Sequence, residues 1–275
     1  MTESTSQPLN RNELFSLEGK IALVTGGSRG IGFMIASGFV ENGAKVYITA
    51  RKADACNEAA VELSKIGECV SLPADLTTIE GRRQVIDALT EREGKLHVLV
   101  NNAGASWGAP LEEYPEDGWD KVMDINVKVP FMLTRDLTAL LANAGTADDP
   151  SRVVNIGSID GLQVPTLDNF AYGPSKAAIH HLTGVLAMAL ADRQITVNAV
   201  APGPFVSKMT KWMLENFQSQ IEAGSPMKRI GKPADMAGVA LYLASPAGAF
   251  VTGAVIPVDG GLRLAQRAPA MPIPE

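Results

Sequence analysis

Short apolar runs alternate along this chain with longer segments of helical periodicity. The first run, Ile21 to Val24, ends in a glycine cluster, after which Ile31, Ile35 and Phe39 recur at helical spacing. Most of the runs are continuously apolar, as is typical of parallel strands covered on both faces. The pattern predicts further strands at 46–49, 69–72, 98–100, 152–156 and 196–200, and helices at 52–65, 78–92, 119–141 and 172–190.

This alternation predicts one α/β domain with a doubly wound parallel sheet. No linker rich in Ser, Pro or Gly, no composition break and no internal repeat divides the chain. Residues 18–262 are expected to form the domain. Residues 1–17 are expected to be an N-terminal extension, and 263–275, rich in Ala and Pro, a C-terminal tail.

Composition and charge exclude several classes of partner. The 275 residues are 46% hydrophobic, enough for a sizeable core, and carry a net charge of −6. No basic run forms a footprint for nucleic acid or an anionic membrane. Cys56 and Cys69 form no CxxC pattern and have no histidine partners, so neither a metal site nor a disulfide framework is predicted.

Two segments bear on location. Residues 1–12 are polar and lack the apolar core of a secretory signal, so a cytoplasmic protein is expected. Residues 239–258 carry no charged side chain over a length that could span a bilayer. Prolines and glycines interrupt this stretch, which indicates a buried helix end, a turn and a short strand instead.

The glycine cluster after the first strand predicts a phosphate-binding loop. Thr25 to Gly32 reads Thr-Gly-Gly-Ser-Arg-Gly-Ile-Gly, between a strand and a helix. Glycines at 26, 30 and 32 would let the backbone approach a pyrophosphate, and the helix N-terminus would offer N–H donors. A dinucleotide cofactor is therefore expected there.

The end of the second strand favours NADP over NAD. An acidic residue at that point would bind the ribose hydroxyls of NAD, but this chain has Ala50 and Arg51 there. Arg51, with Arg29 in the glycine loop, could pair with a 2′-phosphate because guanidinium groups bind phosphate in a fork geometry.

One segment contains candidate residues for acid–base catalysis. Tyr172 and Lys176 stand at i and i+4 of a predicted helix, so a cationic ammonium can lie beside a phenol. Such a charge lowers a phenol pKa toward neutrality and suits the tyrosine to exchange protons with an alcohol or alkoxide. Ser158, fourteen residues before the tyrosine, adds a hydroxyl that could orient a carbonyl.

With these motifs in order, and with Asn101-Asn-Ala-Gly104 and Asn126 between them, the chain resembles the short-chain dehydrogenase/reductase family over about residues 18–262. The resemblance implies a Rossmann-like sheet of about seven strands. It also implies that Ser158 binds the substrate oxygen, Tyr172 is the acid or base, Lys176 binds the nicotinamide ribose and lowers the tyrosine pKa, and Asn126 holds a water that links Lys176 to solvent.

The resemblance also implies a cofactor site and a homotetramer or dimer, because the turn at 258–261 often lies near a subunit contact in this family. Ser207 is aligned with a threonine that meets the nicotinamide carboxamide. The residues expected to bind the cofactor are Gly26, Ser28, Arg29, Gly30, Ile31, Gly32, Arg51, Asp75, Leu76, Asn102, Ala103, Gly104, Tyr172, Lys176, Pro202, Gly203 and Ser207.

Within the family the resemblance is greatest to NADPH-dependent 3-oxoacyl reductases of the rhamnolipid-pathway type. It implies a substrate lid at about 204–225, where apolar side chains would suit an acyl chain, a terpenoid or an aryl ketone, although several could simply pack the lid onto the core. The candidate substrate contacts are Ser106, Trp107, Phe205, Met209, Trp212 and Met213, with Phe217 adding to the apolar surface.

The main hypothesis is therefore an NADPH-dependent reductase of a 3-oxoacyl or other hydrophobic ketone. An alternative is an NADP-dependent alcohol dehydrogenase for a sugar acid, a steroid or a secondary alcohol. A non-catalytic dinucleotide sensor is a third possibility, disfavoured because the four catalytic candidates are all retained.

His97, His180 and His181 have no partner at metal-ligand spacing and are predicted to be structural.

Overall fold

A computed structural model describes residues 10–165 and 167–265, and within them seven parallel strands form one sheet in the order β3-β2-β1-β4-β5-β6-β7. The predicted α/β architecture is confirmed. The strands are β1 Ile21–Thr25, β2 Lys45–Thr49, β3 Cys69–Ser71, β4 Val98–Asn101, β5 Ser151–Ile156, β6 Ile195–Pro202 and β7 Val255–Val258.

Nine α-helices surround this sheet in the described ranges. They are α1 Arg11–Leu14, α2 Gly30–Glu41, α3 Ala53–Leu63, α4 Ile79–Arg92, α5 Glu116–Met123, α6 Val129–Ala144, α7 Tyr172–Leu190, α8 Lys211–Gly224 and α9 Pro233–Ala244.

Helices cover both faces of the sheet, as the continuous apolar strands predict. On one face Phe39 of α2 and Met236 of α9 belong to a core with Val24 of β1. On the other face Leu89 of α4 and Leu133 of α6 pack in a second core. The side chains of β1, β4, β5 and β6 are all buried between these layers.

The predicted helix at 119–141 is wrong in its bounds and in its continuity. The helical region begins at Glu116, ends at Ala144 and is interrupted by a π-helical segment, Asp124–Lys128. A π-turn adds one residue to a helical turn, so apolar spacing alone does not distinguish it from a regular helix. This segment carries Asn126.

The structure corrects other boundaries by one or two residues. Strand β6 continues to Pro202, because Ala201 and Pro202 pair with β7. Leu17, in the predicted N-terminal extension, is fully buried and belongs to the core. The predicted N-terminal extension and C-terminal tail otherwise fall mainly at 1–9 and 266–275, which lie outside the described residues.

The charge-free stretch at 239–258 divides into the end of α9, a 3₁₀ turn at Pro246–Gly248 and β7, as predicted. Among the residues that the structure describes, no helix combines the length and apolar character needed to cross a membrane.

Candidate active site

The predicted site residues follow the carboxyl ends of parallel strands, which meet at one edge of the sheet. The glycine loop follows β1, Asn102 to Gly104 follow β4, and Ser158 follows β5. β6 ends at Pro202, next to Gly203. Strands β1, β4, β5 and β6 are neighbours in the sheet, so these segments converge.

The glycine loop has the conformation that its composition predicts. Gly26 and Gly30 have positive φ angles of +66° and +56°, where residues with a Cβ are strained. A Cβ on Gly32 would overlap the side-chain amide of Asn102. The loop therefore requires glycine at these positions, both for its turns and for its approach to the segment after β4.

This loop leaves the start of α2 free to bind an anion. Arg29 is the N-cap residue of α2, and no side chain caps the first turn. The exposed N–H groups and the helix dipole attract negative charge. The residues present therefore fit the pyrophosphate of a dinucleotide.

Asn102 and Thr25 hold the glycine loop against the turn after β4. Asn102 Nδ2 donates to the Thr25 carbonyl at 2.7 Å, and Thr25 Oγ1 accepts from the backbone N–H groups of Asn102 and Ala103, both at 2.9 Å. At the end of this turn, a Cβ on Gly104 would lie 3.0 Å from Asn126 Oδ1 and 3.7 Å from Lys176 Nζ. The predicted cofactor turn thus lies directly against two predicted catalytic residues.

Arg51 lies near Asp75 at the end of the sheet that carries β2 and β3. Burial raises the pKa of Asp75, but hydrogen bonds from Thr77 and the charge of Arg51 outweigh that effect and lower it. Arg51 and Arg29 are both exposed. Leu76, in contrast, is buried in the core, so its side chain offers little surface to a ligand.

Ser207 closes over the glycine loop from the other side. A Cβ on Gly30 would lie 3.2 Å from the Cβ of Ser207. The Ser207 hydroxyl lies 3.0 Å from the Thr210 hydroxyl, which itself donates to the Phe205 carbonyl. A hydroxyl at this position is consistent with the predicted contact to a nicotinamide.

Asn126 is 2% exposed and fixes the start of α7. Its Nδ2 donates to Ser175 Oγ and to the Ala105 carbonyl, and its Oδ1 accepts from Ala105 N, all at 2.9 Å. Both amide hydrogens are therefore used. A water held by this side chain would have to donate to the remaining lone pair of Oδ1.

Tyr172 is the first residue of α7 and lies beside Ser158. Burial raises the pKa of Tyr172 to about 12, the hydrogen bond with Ser158 opposes this rise, and the charge of Asp160 adds to it. Desolvation of the phenol outweighs the other influences here, and the expected lowering of the tyrosine pKa by Lys176 stays a prediction.

Lys176 lies over the ring of Tyr172. Its Nζ lies 5.6 Å from the ring centroid and donates to the Ile156 carbonyl at 2.8 Å. Burial lowers the pKa of Lys176 to about 8. The site therefore places a neutral phenol next to an ammonium that can lose its proton near neutrality.

A cavity of about 360 Å³ lies between the loop after β4 and the loop before α7. Its lining includes Ser106, as predicted, together with Leu167, Asp168 and Asn169. The backbone N–H of Tyr172 donates to the Asn169 carbonyl at 2.8 Å. These three residues, which precede Tyr172 closely in the chain, are not among the site residues predicted from the sequence.

Trp107 lies at the same loop with its ring against Gly118, where a Cβ would come within 3.0 Å of the indole. Lys121 Nζ stands 4.9 Å from the indole centroid. The loop that could contact substrate is thus fixed to α5.

The lid residues separate into two groups. Phe205 is 2% exposed and packs against Gly231 in the core, so its side chain offers little surface to a substrate and its contact stays a prediction. Trp212 is 65% exposed and meets Phe217 edge to face at 5.6 Å between centroids. Met209 is also exposed and Met213 half-buried, so these three stay predictions as substrate contacts.

Comparisons with known proteins agree with this geometry. A family model described as Enoyl-(Acyl carrier protein) reductase matches residues 26–263. The rhamnolipids biosynthesis 3-oxoacyl-[acyl-carrier-protein] reductase of Pseudomonas aeruginosa is 51% identical over 253 residues, 91% of this chain and 98% of that protein. The chain belongs to the short-chain dehydrogenase/reductase family. It is an oxidoreductase that acts on CH–OH or C=O groups, as predicted.

A solved structure and a second relative bear on cofactor and substrate. The structure described as the Pseudomonas aeruginosa RhlG/NADP active-site complex has a TM-score of 0.89 and 49% identity, covering 91% of this chain and 99% of that one. The galactitol 2-dehydrogenase (L-tagatose-forming) of Cereibacter sphaeroides is 37% identical over 253 residues, 90% of this chain and 96% of that protein. Family members similar to this chain therefore act on both acyl and polyol compounds.

Proposed function

We propose that this protein is an NADPH-dependent reductase that converts a 3-oxoacyl compound, or another hydrophobic ketone, to a secondary alcohol. The observation that carries the proposal is the convergence of Ser158, Tyr172 and Lys176 beside Gly104, at the sheet edge that also bears the glycine loop. The similarity to a 3-oxoacyl reductase and to an NADP complex supports the same reading.

In this proposal the cofactor is held at the start of α2 and along the turn after β4. The uncapped N–H groups of α2 would bind the pyrophosphate, and Arg51 with Arg29 would pair with the 2′-phosphate. When bound, the nicotinamide supplies the hydride to the carbonyl carbon.

The proton that the carbonyl oxygen needs comes from a side chain of the protein. Tyr172, with a pKa of about 12, is protonated near pH 7 and can donate to the oxygen that gains negative charge. The Ser158 hydroxyl, adjacent to the phenol, orients that oxygen. Lys176 provides a positive charge beside the phenol while it stays protonated.

A second candidate function keeps the same residues and runs the reaction as an alcohol oxidation. The similarity to galactitol 2-dehydrogenase favours it, and the substrate would then be a sugar acid, a steroid or a secondary alcohol. The exposed apolar side chains of α8 favour a hydrophobic ketone instead.

Residence in the cytoplasm and assembly as a homotetramer or dimer belong to the proposal as well.

The experiment is a substrate screen with the purified full-length protein. Oxidation of NADPH is followed spectrophotometrically with 3-oxoacyl esters, cyclic ketones, steroids and sugar ketones. Faster turnover of 3-oxoacyl esters supports the proposal. Preference for sugar ketones, or oxidation of polyols with NADP⁺ only, favours the alternative.

The control variant is Tyr172→Phe, which keeps the ring and removes the acid. We expect it to lower kcat by about 100-fold or more and to leave NADPH affinity nearly unchanged. Activity retained in this variant would overturn the assignment of Tyr172. No turnover of any substrate by the wild type, with intact NADPH binding, would favour a dinucleotide sensor.

A further inference from the structure

His180 lies beneath the predicted catalytic residues on α7. It follows Lys176 by four positions, so the two side chains lie on the same face of the helix. The side chain of His180 is 8% exposed, whereas the adjacent His181 is exposed. The imidazole is therefore inside the domain, between α7 and the end of β5.

The imidazole contacts the backbone that carries Ser158. Its Nε2 accepts a hydrogen bond from the Ser158 backbone N–H at 3.4 Å. Gly157 makes this approach possible, because a Cβ at that position would overlap Nε2 and lie 2.6 Å from Cδ2. The His180 ring therefore occupies the space that a side chain at position 157 would fill.

The environment keeps this imidazole neutral. Burial, and then the charge of Lys176, lower the pKa of His180 to about 4, with the Gly161 backbone opposing the shift. A neutral imidazole carries one proton, and an Nε2 that accepts a hydrogen bond places that proton on Nδ1. Nδ1 makes no well-aligned hydrogen bond among the residues that the structure describes, but the Gly161 backbone lies near enough to favour a proton on the ring.

The hydrogen bond between Ser158 N and His180 Nε2 also influences where the Ser158 hydroxyl points. Ser158 is the N-cap of the 3₁₀ turn Ile159–Gly161, and its Oγ accepts from Asp160 N at 3.1 Å. The same hydroxyl lies close enough to the Tyr172 phenol to oppose the rise of its pKa. Because the backbone of Ser158 sets where Oγ points, a bond that holds its N–H also holds the hydroxyl against the phenol.

We infer that His180 is a positioning residue for Ser158: its Nε2 holds the Ser158 N–H so that the hydroxyl meets both Tyr172 and the carbonyl oxygen of the substrate. This inference rests on the proposed function. It assigns His180 a role that sequence spacing had presented as merely structural.

The kinetic test compares two substitutions of His180. His180→Leu fills similar volume without an acceptor, and His180→Gln keeps an oxygen that can accept from Ser158 N. We expect His180→Leu to lower kcat for ketone reduction about tenfold while the Kd for NADPH stays within about twofold, and His180→Gln to recover most of the loss. His181→Leu, on the exposed neighbour, is the matched control and should leave kcat unchanged.

Two kinetic results would overturn the inference. One is a kcat for His180→Leu within about twofold of the wild type. The other is a Gln variant as slow as the Leu variant although both unfold at the wild-type temperature, because the ring would then matter by its shape and not by its acceptor.

A spectroscopic test works without any activity. The chain has three histidines, so selective ¹⁵N-histidine labelling of the full-length protein gives three sets of ring signals, and His180→Gln identifies one. We expect the Nδ1–H tautomer at His180 near pH 7. The Nε2–H tautomer cannot accept from Ser158 N and would refute the inference, even if His180→Leu fails to fold. A wild type that reduces no ketone would refute the proposed function and leave this test standing.

Discussion

The Nζ of Lys176 donates a hydrogen bond to the backbone carbonyl oxygen of Ile156 at 2.8 Å. Ile156 is the last residue of β5, so the ammonium is tied to the strand that delivers Ser158. This bond holds the lysine in place, with its Nζ 5.6 Å from the Tyr172 ring centroid. The ammonium therefore lies near both Ser158 and Tyr172, the two hydroxyl groups proposed to contact the substrate oxygen.

Lys176 should impose an upper pH limit on reduction. Burial lowers its pKa from 10.5 to about 8, so the ammonium loses its charge as the pH rises through about 8. Tyr172 stays protonated over this range because its pKa is about 12. We expect kcat to fall above about pH 8, as measured in a pH–rate profile at saturating NADPH and ketone. A flat profile up to about pH 9.5 would contradict the role of this charge.

Arg51 should determine the choice between NADPH and NADH. It is exposed near Asp75, and a guanidinium there can pair with a 2′-phosphate. We expect Arg51→Ala to raise KM for NADPH about tenfold or more and to change KM for NADH little, because a charge-assisted hydrogen bond is lost only with the phosphate. Lys52→Ala, at the exposed next residue, is the control. If the ratio of kcat/KM for the two cofactors stays the same in Arg51→Ala, Arg51 does not select NADPH.

Much of this fold could be predicted because the sequence alternates so regularly. The apolar runs identify buried strands, and the predicted helix at 172–190 agrees with α7 in both bounds. Since parallel strands end at a common edge, the order of motifs also predicts that the glycine loop, Ser158 and Tyr172 converge.

Other features depend on packing that spacing does not encode. The π-turn at Asp124–Lys128 aims Asn126 at Ser175, but its apolar pattern is helical. The burial of Phe205 requires the bare backbone of Gly231, 26 positions later. The contact of His180 with Ser158 N depends on Gly157 in the same way.

Gly231 should not tolerate a side chain. A Cβ there would overlap the ring of Phe205, which is enclosed in the core and cannot move outward freely. We expect Gly231→Ala to reduce the free energy of unfolding by about 1–3 kcal/mol through overpacking, as measured by denaturant unfolding. It should also raise KM for the ketone, since Phe205 stands at the beginning of the proposed lid segment, 204–225.

Gly238 offers a control of the opposite sign. It lies inside α9, and a Cβ there would meet nothing within 4 Å. Alanine has the higher helix propensity, so Gly238→Ala should stabilise the protein by about 0.5–1 kcal/mol. If both variants have the same stability, the packing of Phe205 on Gly231 is not a constraint.

His97 should make the protein less stable in mild acid. Its Nδ1 accepts from the backbone N–H of Ile21 at 2.9 Å, so the folded protein needs the neutral ring. Burial, followed by the charges of Lys20 and Lys95, lowers its pKa from 6.5 to about 4, and Asp149 opposes the shift. As the pH falls below 6.5, the unfolded chain binds a proton that the folded chain does not, so the stabilising contribution is lost between about pH 6.5 and 4.

The variant His97→Asn separates this effect from other acid-sensitive groups, because its side-chain oxygen can accept from Ile21 N and does not titrate. We expect the free energy of unfolding of the wild type to drop by about 1 kcal/mol more than that of the variant between pH 6.5 and 5, a value reduced for solvent screening of a half-buried ring. His181→Asn, on an exposed ring, should follow the wild type. Parallel pH dependence in the wild type and His97→Asn would show that protonation of His97 does not drive the acid response.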